Sequence, residues 1–360
     1  MTIKSPLLSR PGAVEAGGAD TGVASHYGEP LREQRALATG AAVVDLSCRG
    51  TVTVTGPDRL SWLNTLSSQQ LSNLAPGQST ELLLLSVQGR IEFDARVVDD
   101  GETTWLIVEA AEAAPLAEWL TKMKFMLRVE VADVSGDWAV IGSTRRIEEW
   151  TGLLVWEDPW PHVGAGGYSY AVVGEDSHPG LERPWFEYLV PAAELEATVG
   201  ERALAGVWAA EALRIAAWRP RWGAETDDKT IPHELDLLRT AVHLNKGCYK
   251  GQETIARVHN LGHPPRRLVF LQLDGSQHTI PAVGSEVRAG DRKVGTVTSV
   301  AQHYEMGPVA LAVIKRSVAP GDVLTVLDGE EPYTAAQELI VAPDAGQVVG
   351  RPTGFLRGTR

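Results

Sequence analysis

The stretch STELLLLSVQGRIEFDARVVDDGETTWLIVE, Ser79 to Glu109, decides the fold class. It reads as three strands joined by two tight turns, Gln88-Gly89 and Asp100-Gly101. Parallel strands need long crossovers, so hairpins this tight predict an antiparallel sheet. To its N-terminal side, RGTVTVTG (49–56) alternates apolar and polar residues as a strand does, and PDRLSWLNTLSSQQL (57–71) reads as a helix started by Pro57 and Asp58. GEPLREQRALATG (28–40) predicts an earlier helix with Gly40 as its cap. To the C-terminal side, AAPLAEWLTKMKFML (113–127) is an amphipathic helix and RVEVADVSGDWAVIG (128–142) returns to strand. The mixture predicts α+β layers rather than a doubly wound sheet.

Further along, FEYLVP (186–191) reads as a strand, AAELEATVGERAL (192–204) as a helix and ALAGVWAAEALRIAAW (203–218) as another. Leu204, Val207, Trp208, Ile215 and Trp218 mark one face of the last, and Glu211 and Arg214 fall on that face three residues apart. A Glu–Arg pair buried there is the expected reading; a pair turned toward a ligand is the alternative. After Arg267 the texture changes. RLVFLQLDG, GSEVRAG, RKVGTVTSVAQ, PVALAVIKRS and GDVLTVLDG are short strands between Gly and Pro, which predicts a small β-barrel, with HNLGHPPRR (259–267) as the linker into it. The organisation expected is a mobile tail over 1–25, a two-part α+β region over 26–262, the barrel over 263–345 and a second tail over 346–360.

The chain has 360 residues, 44% of them hydrophobic and 22% charged, as expected of a soluble, multi-domain globular protein. No apolar run is long enough to span a bilayer, and the N-terminus lacks the apolar core of a signal peptide. Two cysteines, Cys48 and Cys248, are too few for a disulfide framework, so a cytoplasmic setting is expected. A net charge of −13 argues against direct nucleic-acid or anionic-membrane binding, while leaving room for a local positive pocket.

Such a pocket is suggested by NKGCYKGQETIARVHNLGHPPRR, Asn245 to Arg267, where Lys246, Lys250, Arg257, Arg266 and Arg267 face a single acid, Glu253. A solvated basic face is the ordinary reading; a seat for a carboxylate- or phosphate-bearing ligand is favoured here, because the run carries loop glycines at a domain boundary. Gly247 and Gly251 place Cys248 on a tight loop, and the flanking lysines would favour its thiolate. A buried, inert thiol is equally compatible with these residues. Cys248, His259 and His263 have only a partial zinc spacing, so no metal site is expected.

KGCYKGQE (Lys246–Glu253) resembles the hallmark of the YgfZ-type folate-binding proteins. ALRIAAWRPRWGAETDDKTIPHEL (212–235) resembles the segment that precedes it. The N-terminal half, with HYGEPLREQRALATGAAVVDLSCRGTVTVTGPD and LLLLSVQGRIEFD, resembles the wider superfamily of glycine-cleavage T-proteins, which are tetrahydrofolate-dependent aminomethyltransferases, and KVGTVTS resembles their barrel. The likeness runs from about His26 to Leu324.

What the resemblance implies is a ring of two ferredoxin-like α+β units and a β-barrel around a central cavity that holds tetrahydrofolate or a one-carbon derivative. It further implies an accessory role in assembling or repairing iron–sulfur clusters in client enzymes, including radical-SAM enzymes that modify tRNA, by a monomer with partners among those enzymes or their assembly factors. Glu187, in FEYLVP, matches the glutamate that bonds the pterin, with Arg214, Tyr249, Gln252 and Glu253 as further cofactor contacts. Cys248, Lys246 and Asp94 are the candidates for chemistry. Asp94 lies where T-proteins carry paired acids, but Phe93 replaces the first of them; Ser67-Ser68-Gln69 replaces the T-protein TND motif; Ala216 and Trp218 depart from RIEAG. Three functions follow: a folate-dependent accessory protein with a working thiol, a folate-dependent aminomethyl- or methyltransferase or demethylase, and a non-catalytic interaction protein with a vestigial pocket.

Overall fold

A computed structural model describes residues 4–277 and 279–349. The predicted hairpins are present: strands Ser79–Leu85, Ile91–Asp99 and Thr103–Glu109 pair in sequence, and Arg49–Thr55 and Glu130–Asp133 extend them into a five-stranded antiparallel sheet. Helices Arg59–Leu66 and Ala110–Met123 cover one face, where Val52, Leu63, Leu84, Leu106, Leu116 and their neighbours make a core. At the start of the second helix the Glu112 carboxylate reaches back to accept from the Glu109 N–H, one half of a capping box.

A second five-stranded sheet has the order Leu154–Glu157, Phe186–Pro191, Trp138–Ser143, Ala42–Asp45, Ala203–Ala205, with only the last pair parallel. That last strand lies inside the region expected to be helical. Gly200, at φ 55°, stops the short helix Leu195–Val199, and the chain then joins the sheet edge before helix Val207–Ala216. The two sheets share a core in which Val98 and Ile107 of the first meet Val44, Val140 and Leu189 of the second.

The C-terminal strands close a six-stranded barrel in the order Arg266–Leu273, Gly307–Lys315, Arg292–His303, Glu286–Ala289, Leu324–Asp328, Glu331–Leu339, the last returning to the first. The architecture is therefore the expected mixed α+β body with a C-terminal β-barrel. Between body and barrel runs an irregular segment whose residues 230–242 are all buried. Its backbone is satisfied by other loops and strands: the Thr230 carbonyl accepts from the Ile91 N–H, that of Leu238 from Tyr168, and the Ser68 carbonyl from the His243 N–H.

The N-terminal segment differs from the tail expected of it. Leu7 is fully buried against the second sheet, Val14–Glu15 pairs with Ala24–His26, and Arg10 donates to the Gly200 carbonyl. Its glycines serve turns: Gly12, Gly18 and Gly22 all have positive φ. Of the expected C-terminal tail, residues 350–360 lie outside the described residues. Helix Gln252–Leu261 runs into the segment expected to be linker.

Candidate functional site

Apolar strands carry charged side chains inward at a few positions, and these meet in one network. Glu187, on the interior strand Phe186–Pro191, is fully buried. Its Oε1 accepts from Arg49 Nη1 at 2.5 Å and from Trp185 Nε1 at 2.8 Å, and Arg96 stands 3.5 Å away. Its Oε2 has no hydrogen-bond partner. Arg96 also approaches Glu109 at 3.8 Å, and Glu109 accepts from Arg221 at 2.7 Å. Arg221 reaches Asp20 of the N-terminal segment at 2.7 Å and Glu211 at 3.2 Å. Glu211 pairs with Arg214 at 2.8 Å, completing the expected Glu–Arg contact.

Arg214 is the clamp between body and barrel. Nε bonds Glu211, Nη1 bonds Glu225 and the Arg219 carbonyl, and Nη2 bonds Glu211 and Ser299 of the barrel. All three guanidinium nitrogens are engaged by the protein, so direct contact with a ligand requires one of these bonds to be given up.

Asp94 lies on the same sheet as Arg96. Burial first, then the adjacent Glu81, push its carboxyl up to about 8. Glu81 is itself held by Arg219 at 2.5 Å and by the Thr240 hydroxyl at 2.6 Å. Glu112 accepts from the Asp94 and Glu109 N–H groups, and burial together with Asp94 raises it to about 9. Glu109 goes the other way: burial opposes ionisation, yet Arg221 and Arg49 hold it down to about 2. Neighbouring carboxyls in one network are thus split between protonated and ionised forms, an arrangement suited to moving a proton.

The KGCYKGQE loop lies outside this network. Cys248 is exposed, which sets aside the buried, inert thiol that the residues equally allowed. Lys246 is buried, and its ammonium donates to the carbonyls of Asn64, Ser67 and Gln69 at 2.5, 2.7 and 2.6 Å. Those carbonyls lie at the C-terminal end of helix Arg59–Leu66, where the helix dipole favours a cation. Tyr249 is buried beneath the loop, with its ring 5.4 Å from the Lys246 nitrogen. Gln252 donates to the Lys246 carbonyl at 3.4 Å, and Glu253 is exposed at the start of helix Gln252–Leu261. Gly251 has φ 86°, and a Cβ there would stand 2.6 Å from the Ser86 carbonyl, so only glycine lets the loop lie on the hairpin turn.

The run of cations is largely spent on internal partners. Besides Lys246, Lys250 pairs with Glu92 at 3.0 Å, Arg266 with Asp227 and Glu234 at 2.6 and 2.8 Å, and Arg267 is buried against the Val318 carbonyl. The seat for an anion expected from Asn245–Arg267 is therefore not formed by this run. Asp94, Glu187 and Arg214 come together; Lys246, Cys248, Tyr249, Gln252 and Glu253 form a separate surface feature. The two communicate through Thr240, whose hydroxyl bonds Glu81 and whose carbonyl accepts from Gln69.

Sequence reasoning missed Arg49, Arg96, Arg219, Arg221 and Glu109. A signal was present for two of them: WRPRW (218–222) places two arginines among tryptophans around a proline, an unusual run to leave unassigned. The space inside the network is small, about 20 Å³. Beside it lies a half-open hollow of about 510 Å³, lined by Gly18, Ala19, Cys48, Ala110, Arg221 and Trp222 among others. Among the described residues no group of three or more His, Cys, Asp or Glu is placed to hold a metal ion, and no helix is long and apolar enough to cross a membrane.

Comparisons with known proteins agree with this architecture. Residues 23–143 match the family described as GCVT N-terminal domain, and residues 266–351 the glycine cleavage T-protein C-terminal barrel domain. The chain belongs to the GcvT-like superfamily. It is 27% identical over 336 residues to an aminomethyltransferase of Streptomyces coelicolor, covering 85% of this chain and 88% of that one. It is 28% identical over 344 residues to an aminomethyltransferase of Geobacillus kaustophilus, covering 89% and 92%. The crystal structure of the glycine cleavage system aminomethyltransferase T from Bartonella henselae superposes with a TM-score of 0.72 at 17% identity, covering 93% of this chain and 94% of that one, which establishes the shared fold.

Proposed function

We propose that this protein binds tetrahydrofolate or a one-carbon folate through its interior network and acts as a cytoplasmic, monomeric accessory protein for iron–sulfur enzymes, presenting Cys248 to its partners. The observation that carries the reading is the separation of the two features: a thiol exposed on a loop anchored by Lys246 and Gly251, and a charged network whose Glu109 and Arg221 border the half-open hollow elsewhere on the protein. A thiol so placed meets a macromolecular surface more readily than a ligand held inside. The iron–sulfur cluster is cargo in this reading, belonging to the client.

The donor set suits a pterin. Glu187 Oε2 is a buried acceptor without a partner, and a carboxylate is the group that takes paired N–H donors from an amino-pyrimidine edge. The space among Asp20, Arg49, Glu211 and Arg214 is only about 20 Å³, so a pterin that reaches Glu187 requires side chains of the network to move. Folate would supply the one-carbon chemistry; Glu187 would orient it and Asp94 would hold a proton near it.

Tetrahydrofolate titration by calorimetry tests the binding half: saturable binding weakened by Glu187→Gln supports it, and no saturable binding points to an interaction protein with a vestigial pocket. The thiol is tested separately. Cys248→Ala is expected to fail in restoring the activity of an iron–sulfur enzyme in cells lacking the native copy; full restoration rejects the role.

Asp94 favours a second reading, a folate-dependent aminomethyl- or methyltransferase or demethylase. Its carboxyl, raised to about 8, is protonated at neutral pH and can donate. Purified protein with tetrahydrofolate and an aminomethyl donor, whose carbon is already at the formaldehyde level, would then yield methylene-folate with release of ammonia, lost in Asp94→Asn; no turnover rejects it.

A further inference from the structure

A second cavity, of about 390 Å³, lies at the seam between helix Val207–Ala216 and the barrel, away from the KGCYKGQE loop. Three glutamates from three separate elements reach it: Glu182 from the loop before strand Phe186–Pro191, Glu305 from the turn after strand Arg292–His303, and Glu338 from strand Glu331–Leu339. None of them forms an ion pair among the described residues. The cationic residue in the wall, Arg183, directs its guanidinium inward, 3.4 Å from Asp158 and 3.9 Å above the Trp185 ring. The cavity therefore presents an excess of negative charge to anything that enters.

Its floor is apolar and aromatic, with Leu213, Trp218 and Phe270 contributing. Trp218 is held at φ 60°, a conformation that a bulky residue rarely adopts, at a position where the T-protein-like motif carries glycine. The strain sets its indole into the wall, edge-on to His178 at 5.7 Å.

The remaining polar residues of the wall are Thr39, Tyr304 and His303, the last 7% exposed. Its Nδ1 accepts from the N–H groups of Glu305 and Met306, both at 3.2 Å. That fixes the neutral tautomer with its proton on Nε2. Burial holds the ring below the ordinary histidine range, so it stays neutral. Among the described residues Nε2 has no hydrogen-bond partner and is not sealed from solvent. One oriented N–H donor thus sits in the wall of a cavity whose other polar groups are the carboxylates and the Tyr304 hydroxyl, the Thr39 hydroxyl being spent on the Arg35 and Ala36 carbonyls.

We propose that this cavity binds a small organic ammonium ion carrying a hydrogen-bond acceptor, with the cation among Glu182, Glu305 and Glu338, the acceptor on His303 Nε2–H and the carbon skeleton on Trp218. Carboxylates select the positive charge, the imidazole N–H selects the acceptor, and the aromatic floor adds cation–π attraction to a desolvated ammonium. The site does not depend on folate, since it shares neither Glu187 nor Arg214.

The test uses the full chain with isotope-labelled histidine and glycinamide as probe, below neutral pH so that its amine is protonated. N-acetylglycinamide, which keeps the acceptor and lacks the charge, is the comparison. Glycinamide is expected to shift the His303 imidazole resonances, assigned by their loss in His303→Asn, in a saturable way. Glu305→Gln and Glu338→Gln, at exposed positions that tolerate the change, should each weaken binding by about tenfold, as should acetylation of the probe. Absence of a saturable shift, equal binding of the neutral probe, or unchanged binding in the double glutamine variant would overturn the proposal.

Discussion

Arg49 and Glu187 form an ion pair of 2.5 Å in which both side chains are almost fully buried. One comes from the start of strand Arg49–Thr55 and the other from strand Phe186–Pro191, so the pair ties the two sheets together at the network's centre. Desolvation makes such a pair a modest net stabiliser, while removal of one partner strands the other charge. Arg49→Met alone should cost about 3–5 kcal/mol in denaturant unfolding, because Glu187 is left buried with only Trp185 and the more distant Arg96. Arg49→Met combined with Glu187→Leu should recover most of that loss. A double variant no more stable than the single would show that the pair does not act as a unit.

Lys246 carries a structural expectation of the same kind. Its three bonds to Asn64, Ser67 and Gln69 carbonyls close the end of a helix and fix the KGCYKGQE loop above it. Lys246→Met keeps the length of the chain and removes the donors. It should cost about 2–3 kcal/mol by leaving buried carbonyls unpaired, and it should raise protease cutting at the Gly247–Cys248 segment. If only global stability fell, with no local change in cleavage, the lysine would not be the loop's anchor.

The sequence made the hairpins, the barrel and the Glu211–Arg214 contact legible because each rests on local spacing: alternation in strands, glycine at turns, three residues on a helix. The network around Glu187 was not legible, because its members come from positions as distant as Asp20, Arg49, Arg96 and Arg221. Nothing in a strand such as RGTVTVT tells that its arginine turns inward to a carboxylate 138 residues away. The basic run misled for the converse reason. Local charge counts see Lys246, Lys250, Arg266 and Arg267 together, whereas folding brings each a different partner from elsewhere. The N-terminal segment was undervalued because a few scattered residues, Leu7, Arg10, Asp20 and Val23, do its anchoring, amid residues that look like those of a linker.

Stability should depend on pH in a way set by the split carboxyls. Asp94 and Glu112 are raised to about 8 and about 9, so the folded chain binds more protons than the unfolded one between their ordinary values and these. Their contribution is full below about pH 4 and is lost as pH rises toward about 9. Glu109 and Glu211, held down to about 2 despite burial, contribute above about pH 4.5 and lose it as pH falls toward 2. Urea midpoints should therefore decline as pH rises from about 4.5 to about 9 and level off above it, and Asp94→Asn with Glu112→Gln should flatten that decline while leaving the acid limb in place. An unchanged slope between about pH 4.5 and 9 in the double variant would reject the assignment.

The two thiols should separate cleanly in reactivity, and Asp20 should control the slower one. Cys248 is exposed, so a thiol reagent should take one equivalent promptly from the native chain. Cys48 is buried, its thiol pushed well up by burial and by Asp20, whose carboxylate lies 3.6 Å from the sulfur. The second equivalent should appear only on unfolding. Asp20→Ala removes both the acid that raises Cys48 and the bond that ties the N-terminal segment to Arg221. Cys48 should then react in the native state, at a rate that rises with pH, while Cys248 keeps its own rate. Because the hollow beside Arg221 is lined by this same segment, the rate gained at Cys48 reports directly on whether the segment is a cover that lifts. A Cys48 that stays silent in Asp20→Ala would mean that Leu7 and the strand pair Val14–Glu15 and Ala24–His26 hold the segment down without the aspartate.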